Sequence, residues 1–131
     1  NFVANRVDIT HKSGLVGCGG QHGSSHFGCG TGNLLGLVIE PANVKSLVGD
    51  EVPFMPNLDV AGLTKTAHGH AFWYNLPYTT GTSDLMEWRF KEPVTMDAGD
   101  YNLWYNEDLT GGTESDNAVG SSCYDIELWL Q

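Results

Sequence analysis

The chain reads as an all-β protein, a single antiparallel β-sandwich over residues 1–131 with jelly-roll or immunoglobulin-like wiring. Three observations predict this. Apolar and polar residues alternate with period 2 in several segments, and no long stretch keeps the 3.6 period of a helix. The 17 glycines, with clustered Pro, Asn and Asp, punctuate the chain at short intervals.

The first strand is expected at residues 3–9, with Val3, Asn5, Val7 and Ile9 on one face and Ala4, Arg6 and Asp8 on the other. Residues 34–40, 44–48 and 71–76 are shorter apolar candidates. In residues 85–90, Met86, Trp88 and Phe90 oppose Leu85, Glu87 and Arg89. In residues 101–106, Tyr101, Leu103 and Tyr105 alternate with Asn102, Trp104 and Asn106. In residues 124–130, Tyr124, Ile126, Leu128 and Leu130 alternate with Asp125, Glu127 and Trp129. Turn-forming residues separate these segments at 41–43, 48–50, 53–56, 81–83, 97–100 and 111–112. About seven short strands joined by such turns fit two packed antiparallel sheets.

Six Lys and Arg against 16 Asp and Glu give a net charge of −10, which argues against nucleic acid and against an anionic membrane surface. Residues 1–49 hold two acids and three bases (net +1), and residues 50–131 hold fourteen acids and three bases (net −11). No apolar run approaches the ~18 residues of a membrane span. The chain begins at Asn1 rather than Met, which reads as a processed or trimmed chain. Three cysteines in a Lys-poor, aromatic-rich chain point to an oxidising, secreted setting, although no Asn-x-Ser/Thr acceptor occurs. They allow one disulfide: Cys18 with Cys29 closes a short glycine-rich loop, and Cys123 could equally staple the last strand to that loop.

Residues 92–131 contain no Lys or Arg, and within them Asn106, Glu107, Asp108, Glu114, Asp116 and Asn117 gather side-chain oxygens in a Gly-rich segment. Calcium takes six to eight oxygens at ~2.3 to 2.6 Å, so these six residues are the candidate ligands for Ca2+. Their spacing is not that of an EF-hand, and a solvated acidic hairpin is the competing reading.

The run Glu92-Pro93-Val94-Thr95-Met96-Asp97-Ala98-Gly99-Asp100-Tyr101-Asn102-Leu103-Trp104-Tyr105-Asn106-Glu107-Asp108-Leu109, then Glu114-Ser115-Asp116-Asn117 and Cys123-Tyr124-Asp125-Ile126, resembles a C-terminal signature of small secreted proteins from marine invertebrates. In those proteins a strand ending W-Y-x-E-D-L is followed by E-x-D-N and then C-x-D-V/I. The resemblance covers residues 84–131 and implies an extracellular location and an Asp/Glu-rich loop. It also implies that Cys123 pairs with Cys18 or Cys29.

Cys18, His22, His26 and Cys29 have the donor chemistry of tetrahedral zinc or copper, but not the spacing of the common zinc fingers. The expectation is a disulfide-tethered loop carrying polar histidines. His68 and His70 share a face if a strand begins by His68, and an exposed strand end is the preferred reading there. No G-x-S-x-G, H-E-x-x-H, P-loop or dinucleotide motif occurs, and no spacing singles out an acid and a base among the carboxylates, so no enzyme is expected.

Adjacent aromatic residues on a strand point to opposite faces, which makes Trp73, Trp104 and Trp129 the candidates for exposure. If Tyr101, Leu103 and Tyr105 face the core, Trp104 points outward beside Asn102 and Asn106, where a ring and two amides can cradle a sugar. The functional expectation is therefore a secreted, non-catalytic, lectin-like protein that binds carbohydrate with calcium, through Trp104, Asn102 and Trp73. A carrier of an apolar small molecule, such as a lipid or pigment, is the alternative. An extracellular matrix or assembly protein, joined into a homo-oligomer through its odd cysteine and a sheet edge, is the third.

Overall fold

The structure, a computed structural model, describes residues 1–17, 24–28, 34–35, 37–41, 57–68, 71–105 and 121–131. All paired strands among these residues run antiparallel, and no α-helix occurs among them. None of the described residues forms a helix long and apolar enough to cross a membrane.

The largest sheet centres on β1 (Phe2–Gly14), flanked by β10 (Ser122–Leu130) and β8 (Leu85–Met96) in the order β10-β1-β8. A second sheet has the order β4-β7-β6, from β4 (Leu34–Leu35), β7 (Ala71–Asn75) and β6 (Thr64–His68). Two ribbons complete the set: β5 (Leu37–Pro41) with β9 (Tyr101–Tyr105), and β2 (Val16–Gly17) with β3 (Ser24–Ser25).

The alternation forecast on β1 slips by one residue. Ala4, Val7 and Ile9 are buried while Asn5 is exposed, because the ladder to both neighbours shifts register between Ala4 and Arg6. A bulge of this kind reverses the face that later residues occupy, so Ala4 faces the core, contrary to the sequence pattern. On β8 the interruption is larger: Ala4 pairs with Val94 and Arg6 with Arg89, so residues 90–93 stand against Asn5 alone. Pro93 lies in this gap, where its missing N–H breaks no ladder bond, and the strand runs on to Met96 instead of ending at Phe90. Residues 57–59 run alongside β8 at this interruption, with Leu58 bridging Phe90 and Asp59 N donating to the Arg89 carbonyl at 2.7 Å. Asn57 Nδ2 donates to the Glu92 carbonyl at 2.7 Å and Asn57 Oδ1 accepts from the Glu92 N–H at 3.1 Å, an amide side chain imitating a strand partner.

Other expectations shift for local reasons. The single strand forecast at residues 34–40 is two, because Leu34 and Leu35 pair with β7 whereas residues 37–41 pair with β9. His68 closes β6 opposite Ala71, which places a strand end at His68, as preferred there. The strand forecast at residues 44–48 lies outside the described residues.

The inner face of the large sheet carries Val7 and Ile9 from β1 and Met86 and Trp88 from β8, all at most 1% exposed. Burying each contributes roughly 1.5 to 3 kcal/mol relative to exposure. Phe27, Leu58 and Leu76 close over them, with Tyr124 and Leu128 of β10 half-buried at the margin. The Trp88 indole N–H finds no hydrogen-bond partner among the described residues.

Candidate functional site

The outer face of the β10-β1-β8 sheet is polar but not loosely solvated. Register sets Arg6 opposite Trp129 on one side and Arg89 on the other, and Asp8 between Glu127 and Glu87. Residues directly opposite in an antiparallel pair lie ~4.5 to 5.5 Å apart, close enough for these side chains to meet. Arg6 Nε donates to Asp8 Oδ1 at 2.5 Å, and its Nη2 reaches both Asp8 Oδ2 and, at 2.9 Å, Glu87 Oε1. Glu87 Oε2 also accepts from Arg89 Nε at 3.3 Å. The hydrogen bond to Asp8 raises the Arg6 pKa against partial desolvation, with the charges of Asp8, Glu87 and Glu127 adding to the rise.

Trp129 completes this network. Its Nε1 donates to Asp8 Oδ2 at 3.0 Å, and the Arg6 guanidinium sits 4.6 Å from its ring centroid. One ring face is thus held on a cation while the residue stays 47% exposed, whereas Asp8 beneath it is only 6% exposed. The result is a flat apolar ring, fixed in orientation and bordered by carboxylates, which can stack on the C–H face of a sugar and accept from its hydroxyls.

A second cluster lies at the far end of β1, on the core side of the sheet. His11 follows Val7 and Ile9 in phase, and its ring stacks on His26 with centroids 3.8 Å apart and planes 4° from parallel. Residues 24–28 are tied down by His26 N donating to the Gly81 carbonyl at 2.8 Å and by the Tyr124 hydroxyl donating to the His26 carbonyl at 2.5 Å. His26 Nδ1 donates to the Ser83 carbonyl at 3.0 Å and lies 3.6 Å from Asp84 Oδ1, while His11 Nε2 donates to the Gly14 carbonyl at 2.7 Å. Phe27 and Tyr124 stack at 5.5 Å beside the pair, and burial raises the Tyr124 phenol pKa above its usual range.

The residues forecast as ligand contacts fall on two different ladders. Asn102 and Trp104 pair with Glu40 and Val38 in the β5-β9 ribbon, and Trp73 pairs with Thr66 between β7 and β6. Asn106, Glu107, Asp108, Glu114, Asp116 and Asn117, the forecast calcium ligands, lie outside the described residues, as do Cys18, His22, Cys29 and His70. Cys123 corrects an expectation: it sits opposite Ser13 with its thiol free and exposed, so the disulfide to Cys18 or Cys29 is not formed. Trp129 was legible as an outward ring from period 2 alone. His11 and Asp84 were not singled out, and the only available signal was a histidine in phase with the buried positions of β1. Comparison with protein families, with curated proteins and with solved structures returned no match to this chain.

Proposed function

We propose that this chain is a secreted, non-catalytic carbohydrate-binding protein built on a β-sandwich, with its contact surface on the outer face of β10-β1-β8 around Trp129. The observation that carries the reading is the fixed, half-exposed indole of Trp129, held by Asp8 and Arg6. An aromatic ring on a polar sheet face that is anchored by a buried carboxylate loses little side-chain entropy when a ligand stacks on it. Asp125 and Glu127, exposed on the same strand, extend the polar rim. Calcium held by the acidic residues between Asn106 and Asn117 belongs to the same proposal, supported by their oxygen-rich, cation-free composition. A glycan array probed with wild type and with Trp129→Ala, each with calcium and with chelator, tests both parts. Sugar binding that disappears in the variant supports the surface, and binding lost with chelator supports the ion.

Assembly into homo-oligomers is a second reading, favoured by the free, exposed Cys123 on a strand that also exposes Ile126 (44%) and Leu130 (58%). Size measurement with and without reductant tests it: a larger species that reductant dissolves supports the reading, and a monomer under both conditions removes it.

A further inference from the structure

We propose that His11, His26 and Asp84 form a binding site for a divalent transition metal of the zinc class, separate from the Trp129 face. Their ligand-capable atoms all lie within 4.8 Å of one another, although the three residues come from β1, the 24–28 turn and the 81–84 loop. Two imidazoles and one carboxylate are the donor set of zinc sites that keep a coordination position open for water or a ligand. Hard cations such as calcium and magnesium, which take oxygen ligands, fit it poorly.

The support behind His11 is already in place. A backbone carbonyl only accepts, so the bonds to Gly14 and Ser83 put the ring protons on His11 Nε2 and His26 Nδ1. The lone pairs then fall on His11 Nδ1 and His26 Nε2. For His11 this is how a ligating histidine is held, the second nitrogen donating to a carbonyl that fixes the tautomer, whereas His26 gives up its bond to Ser83 when its ring turns to meet an ion. Gly14 supplies its carbonyl from a left-handed turn (φ +81°), a conformation that the following ladder to Ser122 enforces.

Parallel rings at 3.8 Å do not aim their in-plane lone pairs at one point, so ion capture requires one imidazole to turn. His26 is the ring that turns. Its side chain is 25% exposed and borders Asp84, whose side chain is 86% exposed. His11 is hemmed edge-on by Phe27 at 6.4 Å and Tyr124 at 6.0 Å. Metal binding therefore unstacks the pair, which gives a signature that ordinary surface histidines lack. The Trp129 face lies five residues back along β1, about 17 Å at the rise of a strand, and on the opposite side of the sheet.

Titrating the full chain with zinc chloride by calorimetry, and with cobalt(II) by visible absorbance, reads the site. One ion per chain is expected, with the imidazole NMR signals of His11 and His26 shifting together and the contact between the two rings lost. His26→Ala and Asp84→Asn are expected to weaken zinc binding about tenfold or more. Asp84 is exposed, so its replacement leaves the fold intact, and the NMR readout needs no variant at all. Absence of binding, zinc affinity unchanged in both variants, or an ion that shifts other histidines and not these two overturns the assignment.

Discussion

The indole N–H of Trp129 donates to the carboxylate of Asp8 at 3.0 Å, joining an exposed ring near the end of β10 to a buried acid on the central strand. That bond, with Arg6 beneath the ring, makes the outer sheet face a rigid surface instead of a fringe of independent side chains.

Trp88 anchors the core at 0% exposure, and Trp88→Ala is expected to lower stability by ~3 to 5 kcal/mol, through lost burial and the cavity left behind. Trp88→Phe is expected to cost markedly less, because the indole N–H it removes has no partner among the described residues. Urea unfolding of the two variants compares them directly. Equal losses would mean that the N–H is bonded.

Gly14 has φ +81°, and an added Cβ would meet the Ser121 backbone oxygen at 1.8 Å. Gly14→Ala combines left-handed strain of ~1 to 2 kcal/mol with a backbone clash, so a loss above ~2 kcal/mol is expected. Thermal unfolding measures it. A melting temperature equal to wild type would show that the turn adopts another conformation.

Tyr78 donates its hydroxyl to the Glu87 carbonyl, and burial, with the charge of Glu87 adding and that of Arg89 opposing, pushes its pKa from 10.0 up to about 12. The unfolded phenol ionises first as the pH rises. The contribution of Tyr78 to stability is therefore whole below pH 10 and is lost as the pH climbs through about 12. Alkaline difference absorbance should show a late tyrosine step in wild type that Tyr78→Phe diminishes by one phenol, the raised Tyr124 phenol remaining. A late step of undiminished amplitude in Tyr78→Phe would assign it wholly to other phenols.

Period 2 was enough to read the inner face of β8 over residues 85–89 and the outward position of Trp129, because both follow from alternation on a stretch of strand without a bulge of its own. It failed at Asn5, where a bulge decided by pairing partners reverses the face, and at residues 34–41, where one apolar run serves two different ladders. The His11, His26 and Asp84 cluster was illegible for a different reason. His26 and Asp84 are 58 positions apart in sequence (84 − 26), and hydrogen bonds from His26 to the Gly81 and Ser83 carbonyls, with His11 N donating to the Asp84 carbonyl, bring the three residues together.

The most direct test of the proposed function pairs two tryptophan variants, Trp129→Ala and Trp104→Ala, in sugar-binding calorimetry with a glycan selected from an array, alongside thermal unfolding. Trp129→Ala is expected to abolish binding while lowering stability by less than the ~3 to 5 kcal/mol of a buried aromatic, since Trp129 is 47% exposed. Trp104→Ala, on the β5-β9 ribbon, is expected to keep binding. Undiminished binding in Trp129→Ala, or no glycan bound by the wild type, would contradict the account.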